Sequence, residues 1–145
     1  MDKQMNEKLE YTFIVAGVVI EKDDKFLLVQ EKKADVYGKW NLPAGKVDKG
    51  YSIEETAIKE AKEETGYDVE LIEKLVTDQK TVNEPVKHSF LAKIIGGELK
   101  FPEDEILDAK WFTLEEIKEK ESEMRVPFVL ESIKSAFNRR LNENN

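Results

Sequence analysis

GKVDKGYSIEETAIKEAKEETGY, the stretch from Gly45 to Tyr67, is a glycine-containing loop followed by a short helix whose two ends are both marked. Ser52 and Glu55 have the spacing of a capping box, and Gly66 stands where a left-handed C-terminal cap is needed. At 3.6 residues per turn, Glu60, Glu63 and Glu64 point within an arc of about 100°. Like charges on one face repel, so a helix gains nothing from this arrangement unless a cation fills the space between them. Carboxylate oxygens suit Mg²⁺ or Mn²⁺ far better than zinc, which makes Mg²⁺ the expected ion and Mn²⁺ its substitute. The neighbouring arc carries Ala57, Ile58, Ala61 and Thr65, residues expected to lie against a sheet. On the glutamates alone, the solvated face of a Lys/Glu-rich helix is an equally good reading.

The residues leading into the helix change that balance. Trp40, Asn41, Leu42, Pro43, Ala44 and Gly45 precede it, and the whole stretch resembles the signature box of the Nudix hydrolases. Gly45, Glu60, Ala61, Glu63, Glu64 and Gly66 match that box in register. Tyr51 stands where the family usually has its first Glu, Lys59 where it has Arg, and Tyr67 in place of the final aliphatic. In the family the Arg orients a metal-binding Glu and can meet the earlier acid, so the first two departures belong together. Lys59 keeps the positive charge without the planar fork. A weaker echo lies at Asp104 to Phe112. WNLPAG at 40 to 45 and RVPFVLESI at 125 to 133 also resemble the branch of broad-specificity nucleoside di- and triphosphate phosphatases that act on a thiamine-precursor pyrophosphate.

Length and composition are those of one soluble domain, residues 1 to 145, with frayed ends expected at 1 to 8 and 142 to 145. Apolar residues make up 40% and charged residues 37% of the chain. The longest apolar stretch, Phe13 to Ile20, is too short to span a bilayer, and the charged first ten residues do not read as a signal peptide. A cytoplasmic location and no membrane association are therefore expected. The absence of cysteine excludes disulfides, thiolate nucleophiles and cysteine-bound zinc. A formal charge of −8 disfavours binding along a nucleic-acid backbone, whereas small phosphorylated molecules accompanied by a divalent cation remain allowed.

Along the chain, Tyr11 to Ile20 and Phe26 to Gln30 read as a hairpin around a polar turn, and Lys32 to Lys39 as a polar loop. Strands are expected at Val69 to Val76, at Lys87 to Ile95 and at Lys110 to Phe112. The paired Gly96 and Gly97 are expected to end the second of these, and a loop is expected through Pro102 to Leu107. Thr113 caps a helix from Leu114, and Val126 to Leu141 has helical periodicity. His88, the single histidine, reads as a sheet-surface residue.

Periodicity alone gives mixed α and β. The resemblance implies α+β, the Nudix fold, a mixed β-sheet sandwiched between α-helices. It also implies an Mg²⁺-dependent hydrolase that cleaves a phosphoanhydride bond of a nucleoside di- or triphosphate, oxidised nucleotides included, by water attack on phosphorus. Glu60, Glu63 and Glu64 would hold the metal with the backbone carbonyl of Ala44. Glu64, Glu63 and the loop acid Glu105 are the candidate catalytic groups. Lys39, Trp40, Lys46 and Arg125 are the candidate substrate contacts. The partner implied is a small nucleotide, and a homodimer is a family-level expectation. The alternatives are an ADP-ribose or dinucleoside polyphosphate pyrophosphatase of the same fold, and a non-catalytic nucleotide-binding domain, for which Tyr51 and Lys59 are the only hints.

Overall fold

Alternation along the first two strands divides the interior into two faces. Strand β1 (Ile14–Lys22) turns into β2 (Lys25–Glu31) through Asp23 and Asp24, both with left-handed backbone, φ 52° and 66°. Two consecutive positive φ values are the two-residue hairpin turn whose twist matches that of the strands. Val18, Ile20, Leu27 and Val29 point to one side and Val19, Phe26 and Leu28 to the other, all fully buried. A sheet buried on both faces needs a layer of helix over each.

The remaining elements supply those layers. They are β3 (Trp40–Asn41), β4 (Ala44–Lys46), helix α1 (Ile53–Thr65), β5 (Tyr67–Asp78), β6 (Val86–Gly97), β7 (Ile106–Phe112), helix α2 (Leu114–Glu119) and helix α3 (Pro127–Glu143). The path through the sheet runs β3-β2-β1-β6-β5, with β4 also paired to β1 and β7 to β2. The β1/β6 pairing is parallel and the others are antiparallel, so the sheet is mixed. Ala57 and Ala61 of α1 cover the face of Val18 and Ile20, while Ile117 of α2 and Phe128, Val129 and Ile133 of α3 cover the face of Val19 and Leu28. The architecture is α+β, a mixed sheet between helices, as the resemblance implies.

The structure, a computed structural model, describes residues 13 to 143, with side chains through residue 140. The expected strand start at Tyr11 and the frayed residues 1 to 8 lie outside the described residues, as do residues 144 and 145, while α3 extends to Glu143. Three local expectations are corrected. Gly96 and Gly97 do not break the ladder: they pair with Asp68 and Tyr67, beside a register shift between Asp68 and Val69 that absorbs the irregularity. The loop after Pro102 ends at Glu105, because Ile106 already pairs with Glu31. His88 is buried, with its Nδ1 3.2 Å from Thr77 Oγ1, since it shares the strand face of Phe90 and Ala92 that the helix Ile53–Thr65 covers.

Both caps of α1 form as expected. Ser52 Oγ accepts from the Glu55 amide at 3.0 Å, and Glu55 Oε1 accepts from the Ser52 amide at 2.9 Å. Gly66 has φ 81° and its amide donates to the Lys62 carbonyl at 2.9 Å. A Cβ at Gly66 would lie 2.3 Å from the Glu98 carbonyl oxygen, a backbone atom that cannot step aside. Gly66→Ala combines that clash with a left-handed backbone costing an L-residue about 1–2 kcal/mol by itself. A loss of at least about 2 kcal/mol in urea unfolding is expected, and a loss of a few tenths would mean that the helix end is not held against Glu98.

Candidate active site

Strand β4 carries the loop backbone to the helix face. Ala44, Gly45 and Lys46 pair with Gly17, Ala16 and Val15 of β1, and the Val18 amide donates to the Pro43 carbonyl at 3.0 Å. The loop is thereby fixed to the centre of the sheet. Helix α1 packs over it with Thr56, Ala57, Ala61 and Thr65 buried. Ile58, expected on that packed face, is 40% exposed: Thr56 takes the inner position.

Glu60 and Glu64 come together over this loop. Glu64 Oε1 accepts from the Ala44 amide at 3.3 Å. Glu60 packs its carboxyl onto Gly45 so closely that a Cβ there would fall 2.2 Å from Oε1. Burial is the largest cause holding the Glu64 carboxyl well above the ordinary carboxylate range, and the neighbouring charges of Glu60 and Glu31 add to it. Glu60 is raised as well, by burial first and then by Glu63. Two desolvated carboxyls side by side either share a proton or take up a cation.

Glu63 meets Glu60 from the outer side of the helix. It is exposed, and its Oε1 lies 3.5 Å from Lys59 Nζ, which also stands 3.7 Å from Glu60 Oε2. The attraction of Glu63 is the main cause that raises Lys59. Lys59 Nζ sits 5.2 Å over the Tyr51 ring, so the two positions that depart from the box touch each other. Among the described residues, no three acidic or histidine side chains converge at coordinating distance.

The donor set nonetheless fits a hard divalent cation. It consists of carboxylate oxygens on adjacent helix turns, it contains an enclosed carboxyl pair whose inner member, Glu64, is raised by burial while Lys59 reaches only Glu60, and Gly45 provides the space for Glu60. A consequence for pH follows. Glu60 and Glu64 titrate higher in the folded chain than when unfolded, so the stability they contribute is complete below the usual carboxylate value of 4.5 and is lost as pH rises through their raised values. Thermal denaturation should show MgCl₂ raising the melting temperature more at about pH 8 than at about pH 5. Equal stabilisation at both would disconnect these carboxyls from the cation.

Two cavities meet at the site loop, and Glu64 lines the first of them. One, of about 440 Å³, is lined by Glu31, Lys32, Lys33, Ala44, Glu64, Asp104, Glu105, Ile106 and Arg125. The other, of about 410 Å³, is walled by Phe13, Asn41, Lys46, Lys87, Arg125, Val126 and Phe128, among others. Glu105 thus stands in one wall with Glu64, and Arg125 and Lys46 face the second space, where Lys46 Nζ lies 4.9 Å over the Phe13 ring. Two of the expected substrate contacts lie elsewhere. Trp40 is buried, its ring edge-on to Phe112 at 4.9 Å, because its pairing with Gln30 turns it into the core. Lys39 donates to the Ser122 carbonyl at 2.9 Å and lines neither space. Glu31 and Lys33 also line the site, and the sequence signals only Glu31, as a charged residue ending a buried apolar strand.

A mixed sheet that holds a backbone loop against a carboxylate-bearing helix, beside an acidic cavity and an aromatic and basic one, defines a class of α+β domains built around one helix-and-loop site. The pattern described as NUDIX domain matches residues 11–130, and the chain belongs to that family. It is 35% identical over 117 residues to putative nudix hydrolase 1 of Caenorhabditis elegans, covering 78% of this chain and 32% of that protein. It is 35% identical over 101 residues to the putative 8-oxo-dGTP diphosphatase of Bacillus subtilis, covering 70% of this chain and 66% of that protein. The solved structure of a NUDIX hydrolase from Nitrosomonas europaea superposes with a TM-score of 0.77 at 28% identity, covering 88% of this chain and 89% of that one. The chain spans about a third of the length of the first of these relatives.

Proposed function

We propose that this protein hydrolyses a phosphoanhydride bond of nucleoside di- or triphosphates, oxidised nucleotides included, with the help of Mg²⁺ or Mn²⁺. The observation that carries the reading is the enclosed Glu64 carboxyl beside Glu60, in the wall of an acidic cavity that shares Ala44 with a second one of aromatic and basic walls. Similarity to a protein named as a putative 8-oxo-dGTP diphosphatase supports the substrate class.

Glu60 and Glu64 would hold the cation with the Ala44 carbonyl, and Glu63 would join them on leaving Lys59. A divalent cation so held supplies neutralisation of phosphoryl charge and a more acidic bound water. The residues of this chain do the rest. Arg125 and Lys46 orient the phosphates from the second cavity. Glu105, exposed on the rim beside Glu64, accepts the proton as the water oxygen bonds to phosphorus and the bridging P–O bond breaks.

The decisive experiment measures phosphate, pyrophosphate and nucleotide release from nucleoside di- and triphosphates, their 8-oxo forms and ADP-ribose, with Mg²⁺ or Mn²⁺. Glu63→Gln and Glu64→Gln run beside the wild type. Turnover that disappears in the variants supports the hydrolase; two monophosphates from ADP-ribose would move the substrate to the dinucleotide class. An inert wild type across the panel would overturn the proposal in favour of a nucleotide-binding domain.

A further inference from the structure

One ion pair stands where the two cavities meet. Arg125 lines both of them, and its Nη1 donates to Glu31 Oε2. Its backbone is pinned: the Arg125 amide donates to the Trp40 carbonyl at 2.8 Å, Met124 bridges to Trp40, and α3 begins at Pro127. Only the side chain is left to move. Glu31 ends β2 at the point where its register with β7 shifts, and this places its side chain in the wall shared with Glu64. The Glu31 side chain is the more enclosed partner, 13% exposed against 34% for that of Arg125.

Resting on the proposed function, we infer that Glu31 is a further acid of the cation-holding cluster, kept from it by Arg125 until a substrate phosphate takes over the guanidinium. A guanidinium fork matches phosphate oxygens two at a time, and Lys33, also common to both cavities, adds a second positive charge at the same junction. A half-enclosed carboxylate deprived of its partner is costly and turns to the nearest cation. That cation is the one beside Glu64. Nucleotide and divalent metal therefore bind with positive coupling carried by one side-chain exchange.

The test is a thermodynamic cycle on the intact protein. Mn²⁺ affinity is measured by calorimetric titration with and without a saturating nucleoside monophosphate, corrected for Mn²⁺ bound to the free nucleotide, in the wild type, Glu31→Gln and Arg125→Lys. In the wild type the nucleotide should tighten Mn²⁺ about tenfold, and Mn²⁺ should tighten the nucleotide by the same factor. Glu31→Gln should reduce the coupling to less than about twofold while both ligands still bind. Arg125→Lys, which keeps the charge and loses the fork, should reduce it several-fold without removing the nucleotide site. Coupling that persists undiminished in both variants would overturn the inference, since direct phosphate-to-metal contact or the general field would then suffice. A wild type that binds both ligands and hydrolyses nucleotides without coupling would overturn it as well and leave the proposed function standing. A protein that binds neither ligand would instead sink the proposed function.

Discussion

Glu64→Gln is expected to lower nucleotide hydrolysis by about 10³-fold or more while leaving the chain folded. The size of the effect follows from what the side chain does. Glu64 is the most enclosed of the three helix glutamates and the one fastened to the loop, through the Ala44 amide. An amide of the same shape keeps that hydrogen bond through its carbonyl oxygen but has no charge to offer a cation. The fold should not suffer, because removing a buried, crowded charge relieves desolvation and the repulsion from Glu60. In a chelator, the melting temperature of Glu64→Gln should equal or exceed that of the wild type. Glu105→Gln, which alters an exposed rim acid, should slow turnover with much less effect on Mn²⁺ affinity. A Glu64→Gln protein that retained a tenth of the wild-type rate would remove Glu64 from the reaction.

Gly45→Ala is the second large effect, and it separates function from stability. The added methyl would fall 2.2 Å from Glu60 Oε1, 2.3 Å from Cδ and 2.7 Å from Cγ. All three atoms belong to one flexible side chain, so the protein can yield by turning Glu60 about its Cα–Cβ bond. The cost to folding should stay below about 1 kcal/mol, within the range of ordinary substitutions. The cost to the site should not be small, since Glu60 leaves the place that puts it beside Glu64. Mn²⁺ affinity should fall about 10- to 100-fold, with turnover falling alongside. The comparison with Gly66→Ala is informative: there the obstacle is the Glu98 backbone, and stability is lost instead. Unchanged Mn²⁺ affinity in a well-folded Gly45→Ala would show that Glu60 does not need its seat on the glycine.

The features legible in the sequence were those set by local physics. Both caps of α1 depend on residues within one helical turn, and so does the Thr113 cap of α2, whose Oγ accepts from the Glu116 amide at 3.2 Å. The hairpin was legible because an apolar run, a polar turn and a second apolar run leave few alternatives. The spacing of Glu60 and Glu64 carried the site for the same reason. What was not legible depended on partners distant in the chain. Trp40 beside a site loop reads equally well as a stacking surface or as core, and only the pairing with β2 turns it inward against Phe112. His88 is buried because α1 covers its face of the sheet, and Gly96 and Gly97 stay in the ladder because Asp68 and Tyr67 come alongside. Glu31 belongs to the candidate site only because β2 ends where the helix face arrives. By spacing Glu63 is the equal of Glu60 and Glu64; the geometry pairs it with Lys59 as well, which spacing cannot express.

The parallel pairing of β1 with β6 bears on the order in which the protein assembles. Ile14 meets Val86, and the whole carboxylate helix lies in the connection between those strands. Closing so long a loop is the slow part of reaching such a topology. The loop, the helix face and β2 can be held in mutual register only once that closure has happened. Cation binding is then a reward for finishing and gives no help in starting. Under refolding conditions Mg²⁺ should leave the folding rate nearly unchanged and should slow unfolding, so that all of its stabilisation appears in the unfolding arm. Faster folding with Mg²⁺ would place the carboxylate cluster in the folding nucleus instead.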